Sequence, residues 1–474
     1  MWRGHTLFLG RGRGVRALAG TAGAAREAAL EVLRRVDAGG AYASLALGEV
    51  LRRRALDPRD RALATELAYG VIRRRQTLDW YLEQVSTRPL AHMTPQVRNI
   101  LRMAVYEYLY LDRIPEWATT HAAVELARRH GHEGVARFVS GVLRGLLRRL
   151  PELRLPDAAA DPVQHLALLT SQPRWLVERW LARYGFDEAQ ALLEALGQTP
   201  PLTVRVNRLR TDRDALRQRL AREGVEAHPT RWSPDGLVLS GVASTGSLKE
   251  LASFREGLFS VQDESSMLVA PVVDPRPGDL VLDVAAAPGG KAAHLAERMG
   301  DRGRVLAIDL HPQRLELVEE NARRLGLRSI ETVCADARSV GRLFAGRADA
   351  VLCDLPCSGL GTLHRRPDAR WRKQEADIPA LATLQDEILE SAWGALRPGG
   401  VLVYSTCTIT PEENEERVEA LVRRHPDLVP EDLTPYLPAG LAGEPGVREG
   451  RIQLLPHRHG TDGFFIARLR RRSG

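Results

Sequence analysis

The sequence predicts a multidomain protein: an all-α bundle, a small α+β module, and an α/β domain built on a parallel, doubly wound sheet. Three observations carry this. Apolar residues recur at helical spacing through residues 23–150, and helix and strand patterns mix over 164–254. From 255 to 474, strand patterns alternate with helices of roughly 10–15 residues, the signature of right-handed crossovers. A chain of 474 residues is also too long for one typical domain.

The first stretch, MWRGHTLFLGRGRGVRALAGTAGAAR, holds several arginines and no acid before Glu27. A transit peptide, an early start codon and a disordered extension all look like this. A disordered extension over 1–22 is the expectation. In the bundle, Thr94 before Pro95 gives an N-cap followed by proline at the first helical position. Val97, Ile100, Leu101, Ala104, Val105, Tyr108 and Leu109 then form one apolar stripe, with Arg98 and Arg102 off it. Similar stripes run over Ala28–Val36, Leu63–Ile72 and Ala122–Leu147. A proline-bearing stretch, PELRLPDAAADP (151–162), reads as a linker. In the second segment Trp175–Tyr184 and Asp212–Glu223 are helical, while Leu202–Val206 and Gly236–Leu239 are extended. Strands of the third segment are expected at 280–285, 304–309, 330–334, 349–353, 400–405 and 463–469.

Composition bounds the function. Hydrophobic residues make up 44% and charged residues 27%, as in packed globular domains. No apolar run approaches the roughly 18 residues needed to span a bilayer, so no membrane partner is expected. Lys and Arg total 67 against 60 acids, a net +7. That suits a nucleic-acid partner, but an arginine-rich genome gives the same excess. The four cysteines, Cys334, Cys353, Cys357 and Cys407, are too few for a disulfide framework, and without CxxC pairs they suggest no metal site. A reduced, cytoplasmic enzyme is the expectation.

The chemistry gathers where strands end. Val281–Val284 runs into Ala285-Ala286-Ala287-Pro288-Gly289-Gly290-Lys291, whose small residues let a ligand approach the backbone before a helix starts. Asp309, Asp336 and Asp354 end the next three strands. Asp309 can accept from ribose hydroxyls or cap the helix after His311-Pro312. There is no GxGxxG, so a plain NAD site is disfavoured. S-adenosylmethionine fits better, having an adenine, a ribose and a sulfonium but no phosphate. Cys334 and Cys353, inside strands, are expected to be small buried hydrophobes. Cys357 and Cys407 lie beyond strand ends, where open α/β sheets do chemistry. Thr410 and Glu413 have capping-box spacing for a helix after Cys407.

These motifs resemble those of the RNA cytosine-C5 methyltransferases. Residues 281–291 are similar to their DLCAAPGGK loop, Asp354–Gly359 to their DxPCSG motif, and Ser405–Thr408 with the following Pro-Glu-Glu-Asn-Glu to their S-T-C-T/S motif. Ala285 stands where the family often has cysteine, and Ala292 where it has threonine. The stretches 259–264 and 361–371 are similar too, and the helical segment resembles the RNA-binding factor NusB. A NusB-like segment before such a Rossmann-like domain resembles the bacterial 16S rRNA methyltransferases of the RsmB or Sun type. The resemblance implies S-adenosylmethionine contacts from Ala285–Lys291, Asp309, Asp336 and Asp354. It also implies attack on cytosine C6 by Cys407, release by Cys357, and 16S rRNA as partner of a monomer. Asp354 beside the base would offset charge at N3. A DNA cytosine-C5 enzyme would instead use Cys357 as nucleophile, and an RNA-binding protein with an inactive domain would use neither.

Overall fold

The computed structural model describes residues 15–242 and 247–473. The chain divides into two compact units between Asp161 and Pro162. Of the extension expected at 1–22, residues 1–14 lie outside the described residues, and the helix Val15–Gly39 begins before residue 23.

The first unit is all helix. Thr94 Oγ1 accepts from the Val97 amide at 3.4 Å, with Pro95 opening the helix Pro95–Tyr110. Its stripe residues Ile100, Leu101, Ala104 and Val105 are buried. Arg102, off the stripe, is buried as well, because its guanidinium grips Asp79 at 2.6 Å and Asp37 at 3.3 Å. Arg26 and Glu107 form a second buried pair at 2.6 Å. Losing one member of such a pair strands a buried charge, at a cost of about 3–5 kcal/mol. The stripe over Ala122–Leu147 spans two helices, Glu116–Arg129 and Glu133–Arg149, the second capped by the His132 ring.

The second unit carries two sheets. The smaller has β1 (Leu202–Val206), β2 (Glu226–Pro229), β3 (Gly236–Ser240) and β4 (Phe259–Val261), antiparallel in the order β2-β3-β1-β4. Its fourth strand thus lies beyond residue 254. Asp212 caps the helix Arg213–Arg222 behind it. The helices Pro162–Thr170, Arg174–Tyr184 and Phe186–Leu196 pack elsewhere, in one core with Leu360, Leu363, Ile378, Ile409 and Leu455.

The larger sheet holds β5 (Leu280–Asp283), β6 (Arg304–Asp309), β7 (Ile330–Cys334), β8 (Ala348–Asp354), β9 (Leu396–Thr406), β10 (Leu428–Pro430), β11 (Arg451–Leu454) and β12 (Phe464–Arg471). Its order is β10-β12-β9-β8-β5-β6-β7, with β11 on β12. The expected parallel pairing holds from β9 through β7, while β12 runs antiparallel to β9, β10 and β11. Only residues 455–463 join β11 to β12, too few for a crossover of a dozen or more, so the chain turns back as a hairpin. Alternate residues feed opposite cores: Val281, Val305 and Leu352 one face, Leu282, Leu306 and Val351 the other. The chain leaves β5 toward β6 and β7, then resumes on the other side with β8 and β9. That reversal opens a crevice at the carboxyl ends of β5 and β8. Cys353 is buried as expected, but Cys334 is exposed, because β7 is the outermost strand. Among the described residues no helix is long and apolar enough to cross a membrane.

Candidate active site at the carboxyl ends of the parallel strands

β5 ends on Asp283, fully buried, with neither carboxylate oxygen in a well-formed hydrogen bond, although the Ala285 amide favours its charged form. Burial first, and then the Asp354 charge, push its carboxyl up to about 7. The glycine loop follows. Ala286 N donates to Ile308 O at 2.9 Å, which stitches the loop to β6. Gly289 has φ of 96°, and a Cβ there would stand 3.0 Å from Val318 Cγ1 and 3.2 Å from its Cα, so both conformation and space call for glycine. The helix Gly290–Arg298 starts at once, and its first turn projects Lys291.

Lys291 Nζ meets Asp354 Oδ2 at 2.7 Å and lies 5.2 Å from the Phe464 ring centre. Burial would lower its pKa, but Asp354 outweighs that and the net shift is upward, with Asp283 and Cys407 adding to it. Asp354, at the end of β8, also accepts from Ser405 Oγ at 2.8 Å, the residue opposite it on β9. Asp309 is buried at the end of β6. It accepts from the His311 amide at 3.0 Å and faces Arg314 at 3.1 Å. Arg314 also donates to Ala287 O at 2.9 Å, which ties Asp309 to the glycine loop. The helix cap is His311, so Asp309 is not spent on capping. Asp336 stands apart: the side chain of Arg338 at 2.7 Å and its amide at 2.9 Å take up the carboxylate and hold its pKa low.

Cys357 Sγ and Cys407 Sγ are 3.4 Å apart as free thiols. The shared hydrogen bond lowers the Cys407 pKa and raises that of Cys357. The surroundings of Cys407 are divided: burial opposes an anion there, and the shared hydrogen bond outweighs it. The Lys291 ammonium favours an anion at Cys407, against the opposing carboxylates of Asp354 and Asp462, while Glu413 disfavours one at Cys357. A thiolate on Cys407 accepting from the Cys357 thiol is the arrangement this hydrogen bond supports, with Lys291 on the side of the anion.

The loop after Cys357 is anchored from below. Glu413, fully buried, accepts from Ser358 N at 2.7 Å, Thr410 Oγ1 at 2.7 Å and Gln385 Nε2 at 3.2 Å, and from Ser358 Oγ. The expected capping box therefore does not form. Pro411–Glu413 is a 3-10 turn, the α-helix runs Glu415–Arg424, and the Glu413 side chain is drawn to the Cys357 loop. Gly361 N donates to Cys407 O at 3.1 Å, and a Cβ on Gly361 would fall 2.0 Å from Gly463 O. Asp462, just before β12, accepts from His364 and Arg365 at 2.7 Å each, and Arg365 reaches on to Asp263. Lys291, Asp354, Ser405 and the two thiols thus form one group, Asp309 is tied to the glycine loop beside it through Arg314, and Asp336 is bonded to Arg338 instead. Ser405, Glu413, Arg314 and Asp462 were not singled out from sequence as site residues.

The comparisons decide the family. The 16S rRNA methyltransferase RsmB/F family matches residues 270–470, the NusB family 23–148, and an RsmF/B-like ferredoxin-like domain 172–245. A probable ribosomal RNA small subunit methyltransferase B of Bacillus subtilis (strain 168) is 41% identical over 94% of this chain and 98% of its own. The chain belongs to the RsmB/F family of 16S rRNA methyltransferases. Ribosomal RNA small subunit methyltransferase B of Sodalis glossinidius is 36% identical over 87% of this chain and 90% of its own. Among solved structures, PH0851 matches at TM-score 0.78, with 28% identity over 94% of this chain and 98% of that one. NSun6 from Pyrococcus horikoshii, crystallised with SFG, matches at TM-score 0.57 with 29% identity, covering 64% of this chain and 99% of that one.

A family member of this kind is a small-subunit rRNA methyltransferase whose substrate is RNA and whose cofactor is S-adenosylmethionine. The crevice fits that cofactor. Its unsatisfied buried carboxylate, Asp283, and the Asp309 carboxylate suit a cationic ligand bearing ribose hydroxyls, and Lys291 is already paired with Asp354.

Proposed function

We propose that this methyltransferase modifies C5 of a cytosine in 16S rRNA while Cys407 is bonded covalently to C6 of that base. One observation carries the reading: two free thiols 3.4 Å apart at the crevice, with Lys291 acting on one and Glu413 on the other.

Cytosine C5 is a poor nucleophile until a thiolate adds to C6. A free cysteine is only a few per cent ionised at neutral pH, so the charge asymmetry around Cys407 matters. As Cys407 Sγ bonds to C6, electrons move toward N3. A proton passed from the Lys291 ammonium through the Asp354 carboxyl, which Ser405 orients, goes to N3, neutralises the developing charge and returns by the same route when the ring of the product re-forms. C5 is then an enamine carbon. S-adenosylmethionine, when bound, supplies the electrophilic methyl group that C5 takes. Bonded to carbon, Cys407 carries no charge, so the first cause of the raised Cys357 pKa is gone. Cys357 then gives its thiol proton to solvent and, as a thiolate, takes the C5 proton. The C–H electron pair restores the C5–C6 double bond, and the C6–S pair leaves with Cys407 as thiolate.

Ala285–Lys291, Asp309 and Asp354 hold the cofactor in this reading, with Gly289 allowing the close turn, and Asp336 joins them only by exchanging its bonds to Arg338 for the cofactor. A stacked target base must swing out to enter the crevice. Residues 23–150 and 164–254 bind rRNA, and the protein acts as a cytoplasmic monomer. Methyl-labelled cofactor and 16S rRNA, followed by digestion to nucleosides, test the reading. Label in 5-methylcytidine supports it; label at another atom or base overturns it.

A further inference from the structure

A second recess in the same unit takes no part in the chemistry above. It is a cavity of about 450 Å³ whose lining includes Pro173, Trp175, Arg370, Trp371, Lys373 and Glu375. We infer that it is a stacking site for an unpaired nucleotide of the rRNA near the target cytosine, with the base against Trp175 and Trp371 and the phosphate at Lys373.

The chemistry of the wall favours a nucleotide. Both tryptophans are partly exposed. Aromatic faces set beside cations are how proteins hold single-stranded RNA without reading its sequence. The segment His364–Lys373 carries Arg365, Arg366, Arg370, Arg372 and Lys373 against the single acid Asp368. Arg365 is taken by Asp462 and Asp263, and Arg372 lies 3.6 Å from Asp368. Arg366 and Lys373 have no carboxylate within ion-pair distance among the described residues, so their charge faces a phosphate backbone unneutralised.

The recess is also built in advance. Arg370 is buried, and its guanidinium donates to Ser171 O at 3.2 Å, Leu196 O at 3.0 Å and Leu363 O at 3.2 Å. That fork fixes the Trp371 turn to the ends of the two helices that flank and pack with the Trp175 helix, so little order is lost on binding. The recess is mechanically joined to the catalytic loop. The helix Asp377–Ala395 starts just past Ala376, and its Gln385 donates to Pro356 O at 2.9 Å and to Glu413 at 3.2 Å. Eight residues of helix separate Asp377 from Gln385, about 12 Å. The recess and the Cys357 loop thus stand at two points along one helix, which is the basis for placing the stacked nucleotide on the same strand as the target. The inference rests on RNA being the substrate and not on which atom is methylated.

The test compares the full chain with Trp371→Ala, Trp371→Phe and Lys373→Met. The probe is 16S rRNA, intact or with single abasic sites flanking the target. Loss of one stacked base should weaken wild-type binding roughly 5- to 150-fold at one flanking position. Trp371→Ala should lose a similar factor on intact RNA and nothing more on that abasic RNA, whereas Trp371→Phe keeps most affinity. Lys373→Met should reduce the slope of log affinity against log salt by about 1. Cofactor affinity, measured in parallel by calorimetry, should be unchanged in all three. Wild-type RNA affinity in Trp371→Ala, or abasic and Trp371→Ala losses that multiply, overturns the inference. If Trp371→Ala loses cofactor affinity too, it has unfolded, and Lys373→Met decides: an unchanged salt slope overturns the site.

Discussion

Lys291→Met isolates the electrostatics on which the proposed nucleophile depends. The ammonium is mostly buried, sits 2.7 Å from Asp354, and is the cation that favours an anion at Cys407. An opposite charge within about 4–6 Å shifts a pKa by roughly 1–3 units. Methionine removes it at nearly constant volume and leaves the Asp354 charge, which opposes a thiolate, without its partner. We expect the Cys407 pKa to rise in this variant, because a cation that lowers it is gone while the carboxylate that raises it stays. At neutral pH the alkylation of Cys407 should then slow roughly 10- to 100-fold. Iodoacetamide labelling across pH, quantified on the Cys407 peptide by mass spectrometry, reads this without cofactor or RNA. Exposed Cys334 serves as the internal control and buried Cys353 as the unreactive one. Lys291→Arg should stay close to wild type. A Cys407 profile unchanged in Lys291→Met would refute the argument that this cation sets up the thiolate.

Two further outcomes follow from the carboxylates. Asp309→Ala should weaken cofactor binding by roughly 1.5–3 kcal/mol, the loss of a buried charge-assisted hydrogen bond, and unchanged calorimetric affinity would remove Asp309 from the site. Asp283 keeps its proton up to about 7 in the folded protein and only to about 3.8 when unfolded. The folded state therefore binds the extra proton between those values, and the stability this group confers is lost as pH rises through 7. Asp283→Asn should raise the melting temperature of the cofactor-free protein at pH 8 more than at pH 5. An equal shift at both would show that this carboxyl is not the titrating group.

The large elements were legible because their cause is local. The stripe from Val97 to Leu109 and the Thr94-Pro95 start dictate a helix with no tertiary help. The strand-end acids and the glycine loop were legible for a similar reason, since a doubly wound sheet puts those positions at one edge. What escaped depends on partners distant in sequence. Arg102 is buried only because Asp79 and Asp37 come to it, and the Thr410–Glu413 spacing could not reveal that Ser358 draws Glu413 away from its helix. Cys334 reads as a strand cysteine like Cys353, and only the strand order shows that β7 is an edge. The antiparallel return of β12 was likewise hidden, because an apolar run does not carry its direction.

The division of labour between the two cysteines is the central claim, and one denaturing gel tests it most directly. Wild type, Cys407→Ala and Cys357→Ala are each incubated with S-adenosylmethionine and labelled 16S rRNA. The account predicts no methylation and no covalent complex from Cys407→Ala. It predicts that Cys357→Ala forms the Cys407–C6 bond and transfers the methyl group. Without the group that removes the C5 proton, that variant should stay attached to the RNA as a slow-migrating species. A complex from Cys407→Ala with none from Cys357→Ala would contradict it and make Cys357 the nucleophile.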